Sequence, residues 1–261
     1  MRSLSVAATG MLAQQLSVEV ISNNIANMNT TAFKRQRPEF QDLLYQNIRQ
    51  IGSQSSDAGT VLPSGIQLGS GVKTASVYRI TEQGDLVSTG NNLDLAIQGR
   101  GWFRIQMPNG GEAFTRAGTF SRSAQGQIVT ADGYVVSPGI AIPPDATSVT
   151  VNESGQIQVK IAGQITPQNV GQIELNVFPN DSGLEGIGDN LFLETPASGR
   201  AVTGIAGAAG FGSLLQGFLE TSNVNAVAEI TALITAQRAY ELNSKVITTS
   251  DEMMAAVNQM R

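Results

Sequence analysis

Apolar residues recur at intervals of seven in two segments, one at each end of the chain. They are Leu4, Met11, Val18 and Ile25 in the first segment, and Leu233, Tyr240, Ile247 and Met254 in the last. A seven-residue repeat held over several turns places a narrow stripe on one side of a helix, where a second helix packs. An ordinary amphipathic helix on its own domain gives a similar spacing, so that alternative stays open at this point.

Two features favour the interpretation that several helices share these contacts. Both segments are long and contain no proline, and their second seam positions carry small or polar residues: Ala8, Gln15, Ser244 and Asp251. Such a seam is too thin for a stable pair of helices alone. The last helix is predicted to begin after Asn225, a suitable N-cap, and to run to about residue 259, roughly 50 Å at 1.5 Å per residue.

The middle of the chain is predicted to be β structure. Apolar residues alternate at 93–97, 157–161 and 173–177, and Gly, Asn and Asp turns recur between the strands. Short strands separated by such turns indicate an antiparallel sandwich or irregular barrel, with Trp102 and Phe103 in its core. The expected fold class is therefore α+β, with long terminal helices in a coiled-coil-like domain and a mainly antiparallel β central domain.

These patterns predict three parts. Residues 1–30 and 222–261 form a discontinuous helical domain for polymerisation, 31–75 connect, and 76–221 form a β-rich outer domain. Within the connecting segment, 46–71 is rich in Ser, Gly and Gln and has little periodicity. A structureless loop of this length is unusual in a compact protein, so it is either flexible in the monomer or ordered against a neighbour.

Four asparagines lie within seven positions near the end of the first predicted helix: Asn23, Asn24, Asn27 and Asn29. Side-chain amides this dense could form a polar binding site. Asparagine also ends helices and forms turns, because its side chain satisfies nearby backbone groups. We interpret the cluster as a helix end and turn, and leave open whether the amides also contact neighbouring subunits.

Composition excludes several kinds of chemistry. The chain has no Cys and no His, which removes thiol and imidazole catalysis, disulfides and thiolate metal sites. A net charge of −5 argues against nucleic acid. The stretch 69–74 fails the phosphate-loop pattern because Val72 separates Gly71 from Lys73. We therefore expect no active site, no cofactor, no metal and no small-molecule substrate.

The first residues superficially suggest a signal peptide, but the apolar core 4–8 is short. No apolar run approaches the roughly 20 residues needed to cross a bilayer. We therefore expect a chain that is cytoplasmic or is exported without a cleaved signal.

Several long stretches resemble the flagellar axial proteins, and in particular their rod and hook subfamily. They are ISNNIANMNTTAFKR (21–35), GNNLDLAIQGRGWFRI (90–105), FTRAGTFSRSAQGQIVTADGYVV (114–136), QGFLETSNVNAVAEI (216–230) and TAQRAYELNSKVITTSDEM (235–253). Ala32 departs from the pattern, since family members commonly have Gly there, which puts the local turn geometry in doubt. An inserted stretch at 48–69 resembles the one that distinguishes the distal rod members. We assign to it Ile48, Gln54, Ser55, Leu62, Pro63 and Gly65.

The resemblance implies a structural subunit that self-assembles into a helical tube, the rigid rod that carries torque from motor to hook. It also implies a homo-oligomer that contacts the proximal rod protein, the hook protein, the P-ring and L-ring bushings and the export apparatus. The implied location is the basal body, from periplasm to outer membrane. The alternatives are a proximal rod or hook subunit, a coiled-coil surface fibre module, or an enzyme on a β scaffold.

Overall fold

A computed structural model describes residues 2–50, 64–164 and 166–259. The chain divides into two compact units. The helical unit comprises Met1–Ala26, Gln36–Tyr78 and Asn225–Arg261, and the β unit comprises Asn27–Arg35 and Arg79–Val224. The connecting segment expected at 31–75 is therefore shared between the two units, because its strands pair within the helical unit while 31–35 bond within the β unit.

Two long α-helices are described, α1 (Arg2–Ala26) and α2 (Ala226–Gln259). As predicted, Asn225 caps α2: the Ala228 backbone N–H donates to Asn225 Oδ1 at 3.1 Å. The two helices run antiparallel, since Ser3 lies opposite Ser250 and Asn24 lies opposite Glu229.

The segment Ser3–Ala26 is long and apolar enough, by length and composition, to cross a membrane. The expectation that no apolar run approaches that length is therefore wrong. Glu19 is the only charged residue in the segment. Its Ala, Ser, Thr and Gly residues interrupt the larger apolar residues but add no charge. A packed core helix and a signal sequence meet the same criterion, so the finding does not assign a membrane role.

The strands are short, and all of the described ones lie between the helices in sequence. In chain order they are β1 (Gln36–Asp42), β2 (Tyr45–Arg49), β3 (Ile66–Gly69), β4 (Val72–Arg79), β5 (Leu86–Ser88), β6 (Leu95–Gln98), β7 (Trp102–Gln106), β8 (Glu112–Thr115), β9 (Ser121–Arg122), β10 (Ile128–Val129), β11 (Val135–Val136), β12 (Ala146–Val151), β13 (Gln156–Ile161), β14 (Gln168–Gln172), β15 (Glu174–Val177), β16 (Glu185–Gly188), β17 (Leu191–Leu193), β18 (Val202–Ile205), β19 (Ser213–Gln216) and β20 (Phe218–Glu220).

In the helical unit the strands form two small ladders. β1 pairs with β4, and β2 pairs antiparallel with β3, with Tyr45 opposite Gly69 and Arg49 opposite Ile66. The β2–β3 ladder brackets the predicted insertion. Its residues Gln54, Ser55, Leu62 and Pro63 lie outside the described residues.

In the β unit the largest sheet has the strand order β16-β17-β8-β7-β11-β10-β9, and β15 joins β18 to β7. A three-stranded sheet has the order β12-β13-β14, and the pairs β19-β6 and β20-β5 complete the unit. The described pairings in this unit are antiparallel. The predicted helix, antiparallel β region and helix are therefore confirmed.

The main core lies in the β unit. Phe103 and Phe120 pack edge to face with ring centroids 5.0 Å apart, among buried aliphatic side chains such as Ile157 and Leu175. Trp102 is also buried, in a second cluster with Phe114, Phe178 and Leu184. The prediction that Trp102 and Phe103 are core residues is confirmed.

Candidate assembly site

The two helices pack through small and polar side chains. On α2 the buried residues are Glu229, Ala236 and Ser250, which fall on one seven-residue row. On α1 the buried residues are Ala7, Ala13, Val20, Ile21 and Asn24. Gly10 lies against Asn243, and a Cβ at Gly10 would come within 2.9 Å of Asn243 Nδ2. The missing side chain lets the two helices approach closely.

The predicted seam residues lie beside these rows. Leu4, Met11, Val18, Ile25, Leu233, Ile247 and Met254 are half-buried, and Tyr240 is exposed. The second seam positions Gln15, Ser244 and Asp251 are exposed, so they do not line the contact between α1 and α2. The contact rows are shifted because small residues allow the closest approach of the backbones, which leaves the larger apolar residues at the edges.

Large apolar side chains remain exposed on both helices. On α1 they include Val6 and Leu12, and on α2 they include Val227, Ile230, Ile234, Leu242, Val246, Met253 and Val257. Soluble monomers rarely expose large contiguous apolar surfaces, and those that do usually bind another protein there. These side chains make the helix pair a candidate assembly surface.

The four asparagines have different environments. α1 ends at Ala26, and the Thr30 backbone N–H donates to the Asn27 carbonyl oxygen at 3.1 Å, which closes a turn. Asn29 lies in the same turn and is exposed, as is Asn23 in the last turn of α1.

Asn24 is buried and joins three segments of the helical unit. Its Nδ2 donates to the Gln36 carbonyl oxygen at 2.8 Å and to Glu229 Oε2 at 3.1 Å. In return the Gln36 backbone N–H donates to Asn24 Oδ1 at 2.9 Å. The amide thus pairs with the start of β1 as a backbone group would, and ties α1, β1 and α2 together.

A buried cluster of charges lies in the β unit. Lys34 Nζ is 2.6 Å from Glu220 Oε1, and Arg116 Nε is 2.7 Å from Glu220 Oε2. The Gly84 backbone N–H also donates to Glu220 Oε1 at 3.0 Å, and Lys34 donates to the Glu82 carbonyl oxygen at 2.8 Å. Both carboxylate oxygens are therefore satisfied, as a buried charge requires.

Arg116 completes the cluster with bonds to three backbone carbonyl oxygens, those of Ile97, Gly99 and Gly101. The guanidinium therefore fixes the turn between β6 and β7 as well as Glu220. Burial by itself raises the pKa of the Glu220 carboxyl, but the charges of Arg116 and Lys34 outweigh burial and hold that pKa below its usual range. Burial lowers the pKa of Lys34, and the Glu220 carboxylate opposes that shift.

This cluster takes one residue from each of three separate stretches of the sequence. Lys34 belongs to AFKR, Arg116 to FTRAG and Glu220 to GFLET. Sequence reasoning missed the cluster because its members are more than 80 positions apart. A partial signal existed, since charged residues are only 14% of the chain and Glu220 directly follows Phe218 and Leu219, whereas Lys34 is followed by the polar residues 35–37.

Ala32 shows why its position favours glycine. Its φ is 57°, in the left-handed region, and its backbone N–H donates to the Glu220 carbonyl oxygen at 2.8 Å. A side chain in this conformation costs about 1 kcal/mol. The turn that the departure at Ala32 put in doubt is therefore formed, with an alanine in a glycine conformation.

The β2–β3 ladder presents exposed apolar side chains. Tyr45, Ile48, Ile66 and Leu68 are all exposed, as is Leu44 just before the ladder. Gly65 lies immediately before β3. A two-stranded ladder of this kind is marginally stable by itself, because it buries little apolar surface.

Within the described ranges, no group of three or more His, Cys, Asp or Glu residues could hold a metal ion. A groove of about 770 Å³ runs between α1 and α2. None of the residues that line the groove is ionisable. They are Gln14, Ser17, Ile21, Asn225, Val227, Ala228, Thr231, Ala232, Thr235 and Ala236. This chemistry suits an apolar partner rather than a reactive substrate.

A self-sufficient β unit joined to a helix pair with exposed apolar side chains defines a structural protein that assembles with other chains. Three family descriptions match the sequence: "Flagella basal body rod protein" at residues 4–34, "Flagellar hook protein FlgE/F/G D1 domain" at 96–159, and "Flagellar basal body rod FlgEFG protein C-terminal" at 215–260.

Relatives match along the full length. The chain is 63% identical over 261 residues to the flagellar basal-body rod protein FlgG of Caulobacter vibrioides, covering 100% of each chain. It is 50% identical over 259 residues to that of Agrobacterium fabrum, covering 99% of each. It is 41% identical over 259 residues to that of Bacillus subtilis, covering 97% of each.

The chain therefore belongs to the family of flagellar basal-body rod proteins. The predictions of a structural subunit of the distal rod, and of a protein that is not an enzyme, are confirmed by these relatives. Family membership also supports a homo-oligomeric rod assembly within the basal body. The alternatives of a proximal rod or hook subunit, or of a surface fibre module, are not favoured.

Proposed function

We propose that the chain polymerises into the helical tube of the distal rod and that this tube carries torque from motor to hook. One observation supports the proposal most directly: the helix pair exposes large apolar side chains that its own chain does not cover, such as Leu12, Leu242 and Met253. In a rod subunit these side chains are the natural contacts with neighbouring copies.

In this proposal, helices of neighbouring subunits pack into the inner layer of the tube in a coiled-coil-like arrangement. The predicted seam rows, from Leu4 to Ile25 and from Leu233 to Met254, are half-buried or exposed within one chain. They can therefore gain further burial when a third and a fourth helix approach. Contacts buried in this way resist shear, as torque transmission requires.

The insertion is proposed to make the tube stiff. Its flanking ladder exposes Tyr45, Ile48, Ile66 and Leu68, and a lone two-stranded ladder needs a further surface to be stable. A neighbouring subunit offers that surface. When the insertion lies between subunits, it removes the freedom of one subunit to slide against the next.

The β unit is proposed as the outer layer, facing the P-ring and L-ring bushings, with the proximal rod protein and the hook protein at the two ends. Its own core is complete, so it does not depend on neighbours for folding. The proposed location runs from periplasm to outer membrane, reached through the flagellar export apparatus without a cleaved signal. The low charge of the chain, 14% of residues, limits adhesion to the rings.

Deletion of residues 48–66 tests the role of the insertion. We expect rods that form but bend in electron micrographs, as a hook does, because the contact between subunits that limits sliding is gone. The matched control replaces the same residues with a Gly/Ser segment of equal length, which keeps the spacing and removes the apolar contacts. Straight rods of unchanged stiffness after the deletion would sink the proposal for the insertion.

A further inference from the structure

One flank of α2 carries small residues near its start and larger apolar residues further along. Positions 228, 235, 242, 249 and 256 form one seven-residue row, which reads Ala, Thr, Leu, Thr, Ala, so that its one large residue is Leu242. Positions 232, 239, 246 and 253 form the adjacent row, which reads Ala, Ala, Val, Met. Because residues seven apart lie on the same side of a helix, this flank carries only Ala and Thr near the start of α2, which makes it concave there, and it becomes convex further along at Leu242, Val246 and Met253.

The concave half is open. The groove of about 770 Å³ between α1 and α2 is bordered there by Ala228, Thr231, Ala232 and Thr235. Side chains this short leave room for the side chains of another helix, which pack as ridges into grooves.

The convex half is exposed. Leu242 is 62% exposed, Val246 44% and Met253 63%, and we call these three residues the ridge. They lie at i, i+4 and i+11, so they point to the same side of the helix. Neither the ridge nor the groove carries a charged side chain, so contact between them leaves no charge buried without a partner.

We propose that the ridge of one copy occupies the groove of the next copy, and this inference rests on the proposed self-assembly. The two surfaces cannot meet within one chain, because both lie on the same straight helix. Thr235 and Val246 are eleven positions apart, roughly 16 Å along the axis. A contact between two different surfaces of identical chains is heterologous, and repeats without closing unless the rotation completes a ring. Such a contact is what an open-ended rod needs.

Engineered cysteines test the contact directly, because the chain has no Cys of its own. The double variant Thr235→Cys/Val246→Cys is placed in the bacterium that carries the gene, as the only copy, and isolated basal bodies are oxidised mildly. A disulfide needs Cα atoms within about 7 Å, so these two positions cannot pair within one chain. We expect a ladder of dimers, trimers and longer species on a non-reducing gel.

Single variants and a control pair make the test specific. Thr235→Cys and Val246→Cys, when co-expressed, are expected to give dimers only, and each alone is expected to give none. The control pair Thr235→Cys/Ser244→Cys keeps the groove cysteine and moves the other to an exposed position on a different face of α2. It is expected to give no ladder.

Three outcomes overturn the proposed contact. A cross-link from Val246→Cys alone would show a two-fold contact of ridge with ridge. An equal ladder from the control pair would show random collision. Cells that swim normally with the double variant and give no ladder would show that the rod assembles through other surfaces, such as the β2–β3 ladder.

Charge exchange provides a second measurement that does not depend on disulfide geometry. Leu242→Glu and Thr235→Lys are each expected to abolish swimming, because each buries one charge, and the two together are expected to restore it. If the Leu242→Glu/Thr235→Lys double variant swims no better than either single variant, the result contradicts the proposed contact. If deletion of the unaltered gene leaves swimming intact, the proposed function itself fails, which is a different result.

Discussion

The two units of the chain bury their side chains in opposite ways. The β unit encloses large apolar residues such as Phe103, Phe120 and Ile157, which are almost wholly inaccessible. The helical unit buries Ala7, Ala13 and polar groups such as Asn24, and leaves many of its large apolar residues exposed. The comparison teaches that the β unit encloses its large apolar residues in a core, whereas the helical unit leaves many of them exposed, as the proposed assembly requires.

The difference between the two units follows from how much apolar surface each of them buries. Burial contributes roughly 25 cal/mol per Å² of apolar surface, so a seam of alanine and glycine contributes little compared with a core of phenylalanine and isoleucine. The helical unit compensates in part with buried hydrogen bonds, such as those of Asn24. The apolar area that it still exposes is available for assembly.

The largest expected effect is on the β core. Phe103→Ala should lower the free energy of unfolding by about 3–5 kcal/mol, because it removes a wholly buried ring and leaves a cavity. The matched truncation in the helical unit, Leu12→Ala, should change it by less than about 0.5 kcal/mol, because that side chain is 66% exposed. Urea unfolding of both purified variants measures the contrast. Equal losses of unfolding free energy in the two variants would contradict the difference in burial between the two units.

Glu220→Gln should cost about 3–5 kcal/mol at neutral pH, because it leaves Lys34 and Arg116 as buried charges without a carboxylate. The control is Glu112→Gln, which removes an exposed carboxylate from its pair with the half-buried Arg104 and should cost no more than about 1 kcal/mol. If both variants lost the same unfolding free energy, burial of the charge cluster would add nothing to the cost of removing its carboxylate.

The stabilisation that Glu220 provides should also depend on pH. The folded-state pKa of Glu220 lies below its unfolded value, so its stabilisation is present above the unfolded pKa and is lost as pH falls through the folded pKa. Lys34 stays protonated in both states on this acid side. The stability gap between the unaltered chain and Glu220→Gln should therefore shrink below about pH 4 in a series of urea titrations. A stability gap that grows as the pH falls would contradict a folded-state pKa of Glu220 below its unfolded value.

Asn24→Ala should cost about 1–3 kcal/mol, because it leaves the partly buried backbone groups of Gln36 without the Asn24 amide. Amide hydrogen exchange should report the loss mainly in α1, β1 and α2. Asn29→Ala, in the exposed turn after α1, is the control and should change little. Equal effects of the two substitutions would mean that the asparagines act as one group.

The smallest expected effect is that of Gly10→Ala. The new Cβ meets only the end of the Asn243 side chain, which can move, and alanine gains about 1 kcal/mol of helix propensity. We expect a net change within about 1 kcal/mol in thermal unfolding. In the β unit, Gly118→Ala would place the Cβ against the Leu95 backbone carbonyl, which cannot move so easily. Gly118→Ala should therefore be the more damaging of the two.

The sequence predicted the helices because their signals are local. The Asn225 cap, the long segments without proline and the alternating strands all depend on neighbouring residues. The register between helices could not be predicted in the same way. The pattern favoured Leu4 and Leu233, whereas the structure places Ala7 and Glu229 in the contact, since close approach depends on which small residues face each other in space.

By itself the sequence determined the order of helix, antiparallel strands and helix, and through its motifs the family. Periodicity, caps and turns are properties of short stretches, so they can be read from the chain alone. Only the tertiary structure decided that Lys34, Arg116 and Glu220 share one buried cluster, and that Asn24 reaches both Gln36 and Glu229. Those contacts join residues that are far apart in the chain, and burial and charge pairing select them only when the units fold.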